Sequence, residues 1–183
     1  MEKNRADHKI DLWRAFQIAA TSALVITYIF QWIIMISIPS QRTGADFIAF
    51  YTAGRIAQDQ GISSAYKIKA QHDMEQFVVG FDLAKEQILL YNHMPYLIPF
   101  LKLLVNADYI GSFIRWTILM LGIYAAASIF FLNNIFADQK SKVYAALMMG
   151  TLTFLPFSNS LIVGQDTALL FLGIALWCIG ILR

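Results

Sequence analysis

Apolar residues fall in long blocks along the chain instead of alternating with polar ones at the period of a soluble helix or strand. The first block, Ala15–Ile38, contains no charged residue. As a helix it exceeds the ~30 Å of hydrocarbon in a bilayer. Trp116–Phe136 is a second charge-free block, and the span built on it runs from 109 to 136. Val143–Phe157 forms most of a shorter third span, 143–158. Leu161–Leu182, interrupted only by Gln165 and Asp166, makes a fourth, 161–182. The pattern predicts an all-α integral membrane protein with about four transmembrane helices.

Residues 39–108 break the pattern, yet they carry too many aromatic and aliphatic side chains for a disordered linker. Phe47, Phe50, Tyr51 and Gly54 recur at i, i+3, i+4 and i+7, with Thr43 placed to cap that helix and Gly61 to end it. Ser63 or Ser64 can cap a second helix with Tyr66, Ala70 and Phe77 on one side, and a third piece runs from Asp82 to about Leu90. Pro95–Val105 is too short to span and contains Pro99 and Lys102, which favours a helix lying in the interface. The expectation is a long outer loop of short amphipathic helices resting on the bilayer, all within one membrane domain, 1–183.

Composition agrees with the pattern: 58% of residues are hydrophobic and 14% charged, with mean hydropathy +0.56. A net charge of +2 gives no footing for nucleic-acid binding. Lys3, Arg5, Lys9 and Arg14 precede the first block, whose apolar core is too long for a cleaved signal peptide and lacks a small-x-small site after it. It reads as an uncleaved anchor. Lys140, Lys142 and Arg183 fall on the same side as the N-terminus if the spans alternate, so that side is cytoplasmic. The six basic residues of the long loop are discounted, because long loops are translocated regardless of charge. The loop and the 158–165 turn then face outward, and the expected location is the bacterial plasma membrane. Cys178 is the only cysteine, and no metal-ligand spacing is visible, so neither a disulfide nor a metal cofactor is expected.

Three polar islands fall at outward-facing ends of apolar segments. Asp46 follows Thr43 at capping-box spacing, which explains it as part of a helix start. Alternatively, it is a general base at the membrane boundary. Tyr91-Asn92-His93-Met94-Pro95 reads as an interfacial aromatic belt or as a set of donors, Asn92 and His93, for a phosphate or sugar. Gly164-Gln165-Asp166 reads as a helix start capped by Asp166 or Thr167, or as polar groups facing a cavity. Gly164 would let a substrate or a neighbouring backbone come close. Arg115, just inside the second span, snorkels to the headgroups or holds a lipid phosphate.

In order and placement these islands resemble the start of the GT-C membrane glycosyltransferases, most closely glycosyltransferase family 87. The likeness rests on Ala45-Asp46-Phe47, Tyr51, Ala53-Gly54, Gly61 and Tyr66, then Tyr91–Pro95, then Gly164-Gln165. Met94 stands where that family usually has a first Pro, and Thr167 where Asn often follows Gly-Gln. The resemblance implies an inverting hexosyl- or mannosyltransferase-like enzyme at the extracytoplasmic face. Its donor would be a polyprenyl-phosphate-linked sugar, its acceptor a lipid or glycan hydroxyl, and its base Asp46. Tyr51, Asn92, His93, Arg115, Gln165 and Asp166 are then the substrate-binding candidates. Family members have many more spans, so the chain is expected to be the N-terminal part of a longer enzyme or a truncated reading frame. The alternative from another class is a non-catalytic membrane module with a lipid-binding, transport-associated or assembly role.

Overall fold

A computed structural model describes residues 12–37, 46–135, 150 and 154–182. Its regular structure is helical throughout the described residues. The α-helices are α1 (Leu12–Ser37), α2 (Phe47–Gln60), α3 (Ile68–Val79), α4 (Ile98–Leu104), α5 (Tyr109–Ile135), α6 (Leu155–Val163) and α7 (Thr167–Leu182). Short 3₁₀ turns at Ile62–Tyr66, Lys85–Gln87 and Pro95–Leu97 link them.

Two helices are long and apolar enough to cross a membrane, at Leu12–Ile34 and Tyr109–Ile135. They differ in what covers them. The apolar window of the first is 0% buried, that of the second 28%. Large side chains of α1 such as Phe16, Ile26 and Phe30 are exposed, while the helix packs on α6 and Trp32 makes a ring contact with Phe113. A helix apolar on all sides is uncovered at this scale only where its surroundings are themselves apolar. Most of the expected third span, 143–158, falls outside the described residues, and its last four residues belong to α6. The expected fourth is broken at Gly164–Asp166, so that Leu161–Val163 belong to α6 and α7 is 16 residues long. That length rises ~24 Å, short of the hydrocarbon thickness.

The loop segment does form short helices, but they are not all surface elements of the kind expected to rest on the bilayer. Its first helix, α2, is the centre of the core: Phe47, Ile48, Ala53, Ile56 and Ala57 are all fully buried, as is Thr52. Gly61 does end it, at φ 87°. Gly54 permits a close crossing, since a Cβ there would meet Val105 and lie 3.0 Å from the Leu101 carbonyl of α4. On α3 the buried positions are Gln71, Glu75 and Val79, while Tyr66 and Phe77 are exposed. Of the apolar positions chosen from spacing, Ala70 packs against the core, Tyr66 precedes the helix and Phe77 faces out, so spacing misses the main buried positions. Ser63 and Ser64 lie in the 3₁₀ turn instead of capping α3, whose preceding residue is Lys67. Asp82–Leu90 forms no helix beyond the turn at Lys85–Gln87. Pro95–Val105 is the turn Pro95–Leu97 followed by α4, with Pro99 in the first turn where its missing N–H costs nothing.

Candidate functional site

The cleft is built around Gly164. At φ 80° this residue ends α6 in the left-handed region. The turn closes as a Schellman motif: Gln165 N–H donates to Ser160 O at 2.9 Å and Gly164 N–H to Leu161 O at 3.2 Å. Ser160 Oγ donates to Thr167 Oγ1 at 2.6 Å, tying α6 to α7 across the turn. The indole N–H of Trp116 on α5 donates to Gly164 O at 2.8 Å, in a fully buried setting. With no Cβ on Gly164, the start of α2 comes against it. A methyl there would overlap Phe47 Cβ and stand 3.2 Å from Phe47 Cα.

That approach brings Asp46, the residue before Phe47, next to Gln165, the residue after Gly164. Gln165 Nε2 donates to Asp46 Oδ2 at 2.5 Å, joining residues 119 positions apart. The carboxylate is not used as a cap. Asp46 immediately precedes α2 with helical torsions, φ −58° and ψ −24°, and its side chain bonds no N–H of the helix. Capping residues take extended backbone so that the side chain can fold back, which Asp46 does not do. The expected place of Asp46 in a capping box, at the third helical position, is thus corrected; Thr43 lies outside the described residues.

The second island closes the opposite wall. His93 Nδ1 lies 3.4 Å from Asp166 Oδ2, an ion pair when the imidazole is protonated. Its ring rests on Phe50, centroids 4.6 Å apart, and Phe50 in turn stacks on Trp116 at 4.9 Å. The Tyr66 hydroxyl donates to His93 O at 2.9 Å. Tyr91 is buried, and burial, with smaller contributions from Tyr66, Asp166 and Tyr96, pushes its phenol well above the ordinary value of 10.0. Asp46, Asn92, His93, Gln165 and Asp166 thereby line one cleft of about 290 Å³, floored by Phe50. This is at the small end of ligand sites, which run about 300–1,000 Å³.

Two candidates lie elsewhere. The Tyr51 hydroxyl donates to Asn106 O at 2.9 Å, and its ring faces a separate, larger hollow of about 690 Å³ with Arg55 and Lys67. Burial raises its phenol above 10.0. Arg115 is exposed on α5, where Nη2 donates to Ser112 Oγ at 3.1 Å, and it does not reach the cleft. Spacing put Phe50 on the apolar face of α2 but did not pair it with Trp116 as the floor, nor did it place Gln71 and Glu75 behind the second island. Trp116 could have been found from the apolar stripe Phe113, Trp116, Met120 and Tyr124 on α5, all buried. No signal in the sequence distinguishes Gln71 and Glu75 from an ordinary solvated helix face. Compared with protein-family models, curated proteins and solved structures, the chain matches none.

Proposed function

We propose that this chain is a membrane-embedded glycosyltransferase module of the GT-C kind, with Asp46 as the general base for an acceptor hydroxyl. The supporting observation is the meeting of Asp46 and Gln165 at the mouth of a cleft that also holds His93 and Asp166. A carboxylate free of capping duty, held by an amide from a distant element, is placed as a base needs to be. Gln165 occupies Oδ2, and Oδ1 accepts no hydrogen bond among the described residues. In the proposed step the acceptor O–H proton passes to Asp46 while the oxygen attacks the anomeric carbon. The bond from that carbon to the phosphate oxygen breaks, polyprenyl phosphate leaves, and the configuration inverts.

Among the described residues, no Lys or Arg lines the cleft. Its amides, imidazole and carboxylates suit the hydroxyls of a neutral sugar or acceptor, so the donor phosphate needs a contact beyond these residues. Arg115, exposed at the outer part of α5, is the candidate for that contact. The proposal carries the four-span topology with it. Here α1 and α5 cross the bilayer, and the cleft opens on the extracytoplasmic side of the plasma membrane. The test is direct. The full chain in proteoliposomes is given radiolabelled polyprenyl-phosphate mannose or another hexosyl donor, with lipid and glycan acceptors. Labelled acceptor of inverted anomeric configuration is expected. Absence of transfer from every donor, with the chain folded, overturns the reading.

A further inference from the structure

Behind the His93 wall lie two polar side chains that the proposed chemistry does not use. Gln71 and Glu75, one turn apart on α3, are each only 1% exposed. Both are aimed at the backbone of the segment leading into His93. Gln71 Oε1 accepts the Tyr91 N–H at 2.8 Å, while its Nε2 donates to Ala65 O at 2.7 Å. Glu75 Oε2 accepts the Leu89 N–H at 3.2 Å, and Oε1 is buried with no hydrogen-bond partner among the described residues.

The spacing is matched. Side chains at i and i+4 of a helix are ~6 Å apart along its axis, and amides at i and i+2 of an extended chain are ~6.6 Å apart. Residues 88–91 have no regular secondary structure of their own, and Ile88 is extended at φ −80°, ψ 132°. The helix face therefore takes the place of a neighbouring strand. Burying a carboxylate costs more than burying a leucine of similar size, so packing alone does not account for Glu75. Backbone N–H groups that leave water need acceptors, and at Leu89 and Tyr91 these two side chains supply them. Downstream, Tyr91 OH donates to Met94 O at 3.2 Å and the Tyr91 ring lies 5.5 Å from His93, which carries the alignment into the cleft.

We infer that Gln71 and Glu75 are positioning residues, a side-chain clamp on Leu89 and Tyr91 that fixes the Asn92–His93 wall of the cleft. The inference rests on the cleft being the working site as proposed above, but the clamp itself is measurable without transfer. Amide hydrogen exchange at single-residue resolution, on the full chain in nanodiscs, reads each arm. Gln71→Met should speed exchange at Tyr91, and Glu75→Leu at Leu89, by about tenfold or more, with α2 amides unchanged. Carbethoxylation of His93, followed by mass spectrometry, should accelerate in both. Glu75→Gln keeps an acceptor oxygen and should stay within about twofold of the parent. Should Glu75→Leu fail to fold, Gln71→Met and Glu75→Gln carry the test. In a transfer assay the Gln71→Met variant should raise KM more than it lowers kcat. Unchanged exchange at Tyr91 in Gln71→Met, or an equal rise throughout α2, overturns the clamp. A parent chain without transferase activity contradicts the proposed function and leaves exchange to decide the clamp.

Discussion

Replacing Gly164 by Ala tests how the cleft is assembled, because one methyl separates two costs. The first is conformational. Gly164 sits at φ 80°, and an L side chain in the left-handed region costs roughly 1–2 kcal/mol. The second is steric. The new Cβ would overlap Phe47 Cβ and lie 3.1 Å from the Phe113 ring. Phe47 is fully buried at the head of α2 and cannot swing aside. Overpacking of this kind costs about 1–3 kcal/mol. Gly80 is a matched control: it ends α3 at the same φ of 80°, yet nothing lies within 4 Å of an added Cβ. Gly80→Ala therefore carries the conformational cost alone, and the difference between the two variants isolates the close approach. Each kcal/mol lowers Tm by about 2–4 °C in a chain of this length, so Gly164→Ala should melt about 2–12 °C below Gly80→Ala. Thermal unfolding in detergent, followed by tryptophan fluorescence, measures this. Because relief of the clash pushes Phe47 away, Asp46 also leaves Gln165, and transfer should fall in Gly164→Ala but not in Gly80→Ala. Equal melting temperatures for the two variants would refute the packing of α2 against the turn.

Trp116→Phe removes the indole donor to Gly164 O and leaves that carbonyl without its side-chain partner. A loss of about 1–3 kcal/mol is expected by chemical denaturation, and an unchanged midpoint contradicts the buried bond. Tyr51→Phe removes the hydroxyl that donates to Asn106 O, so stability should fall by about 0.5–1.5 kcal/mol with transfer unaffected. A selective loss of transfer would return Tyr51 to the substrate-binding set. Glu75 governs a pH dependence. Burial raises its carboxyl from 4.5 to about 7, against smaller opposing effects of the Leu89 hydrogen bond and His72. Between those values the folded chain holds a proton that the unfolded chain releases. The stability this contributes is full below about pH 4.5 and is lost as pH rises through about 7, roughly 3 kcal/mol in all. Glu75→Gln should flatten that fall, and an identical pH profile in the variant contradicts the buried carboxyl.

Much of the frame was legible as hydrophobic pattern. Charge-free length alone located α1 and α5, and Gly61 marked the end of α2. Periodicity also found the apolar face of α2, but it could not show that the opposite face is covered too, because Ala49, Ala53 and Ala57 carry no amphipathic signal. On α3 the reading failed for a definite reason. Gln71 and Glu75 satisfy backbone amides inside the protein, and a side chain that serves a neighbouring chain looks the same in sequence as one that serves water. Within the candidate site, each island could be named from local composition. Their convergence could not, since it depends on Gly164 admitting the start of α2, a contact between residues far apart in the chain. The sequence hinted at that possibility in a glycine at the end of an apolar segment. The companion signal, an indole donor on α5 reaching the same carbonyl, has no local signature.

Asp46→Asn tests the central claim most directly. The amide keeps the size of the carboxylate and an oxygen to accept from Gln165, but it cannot take a proton at neutral pH. Initial rates are to be measured in proteoliposomes with a polyprenyl-phosphate sugar donor, alongside melting temperatures of parent and variant. A base of this kind contributes about 10²–10⁴-fold, so transfer should fall by that factor with Tm unchanged. Transfer within about twofold of the parent chain would contradict Asp46 as the base and leave the cleft with a binding role only.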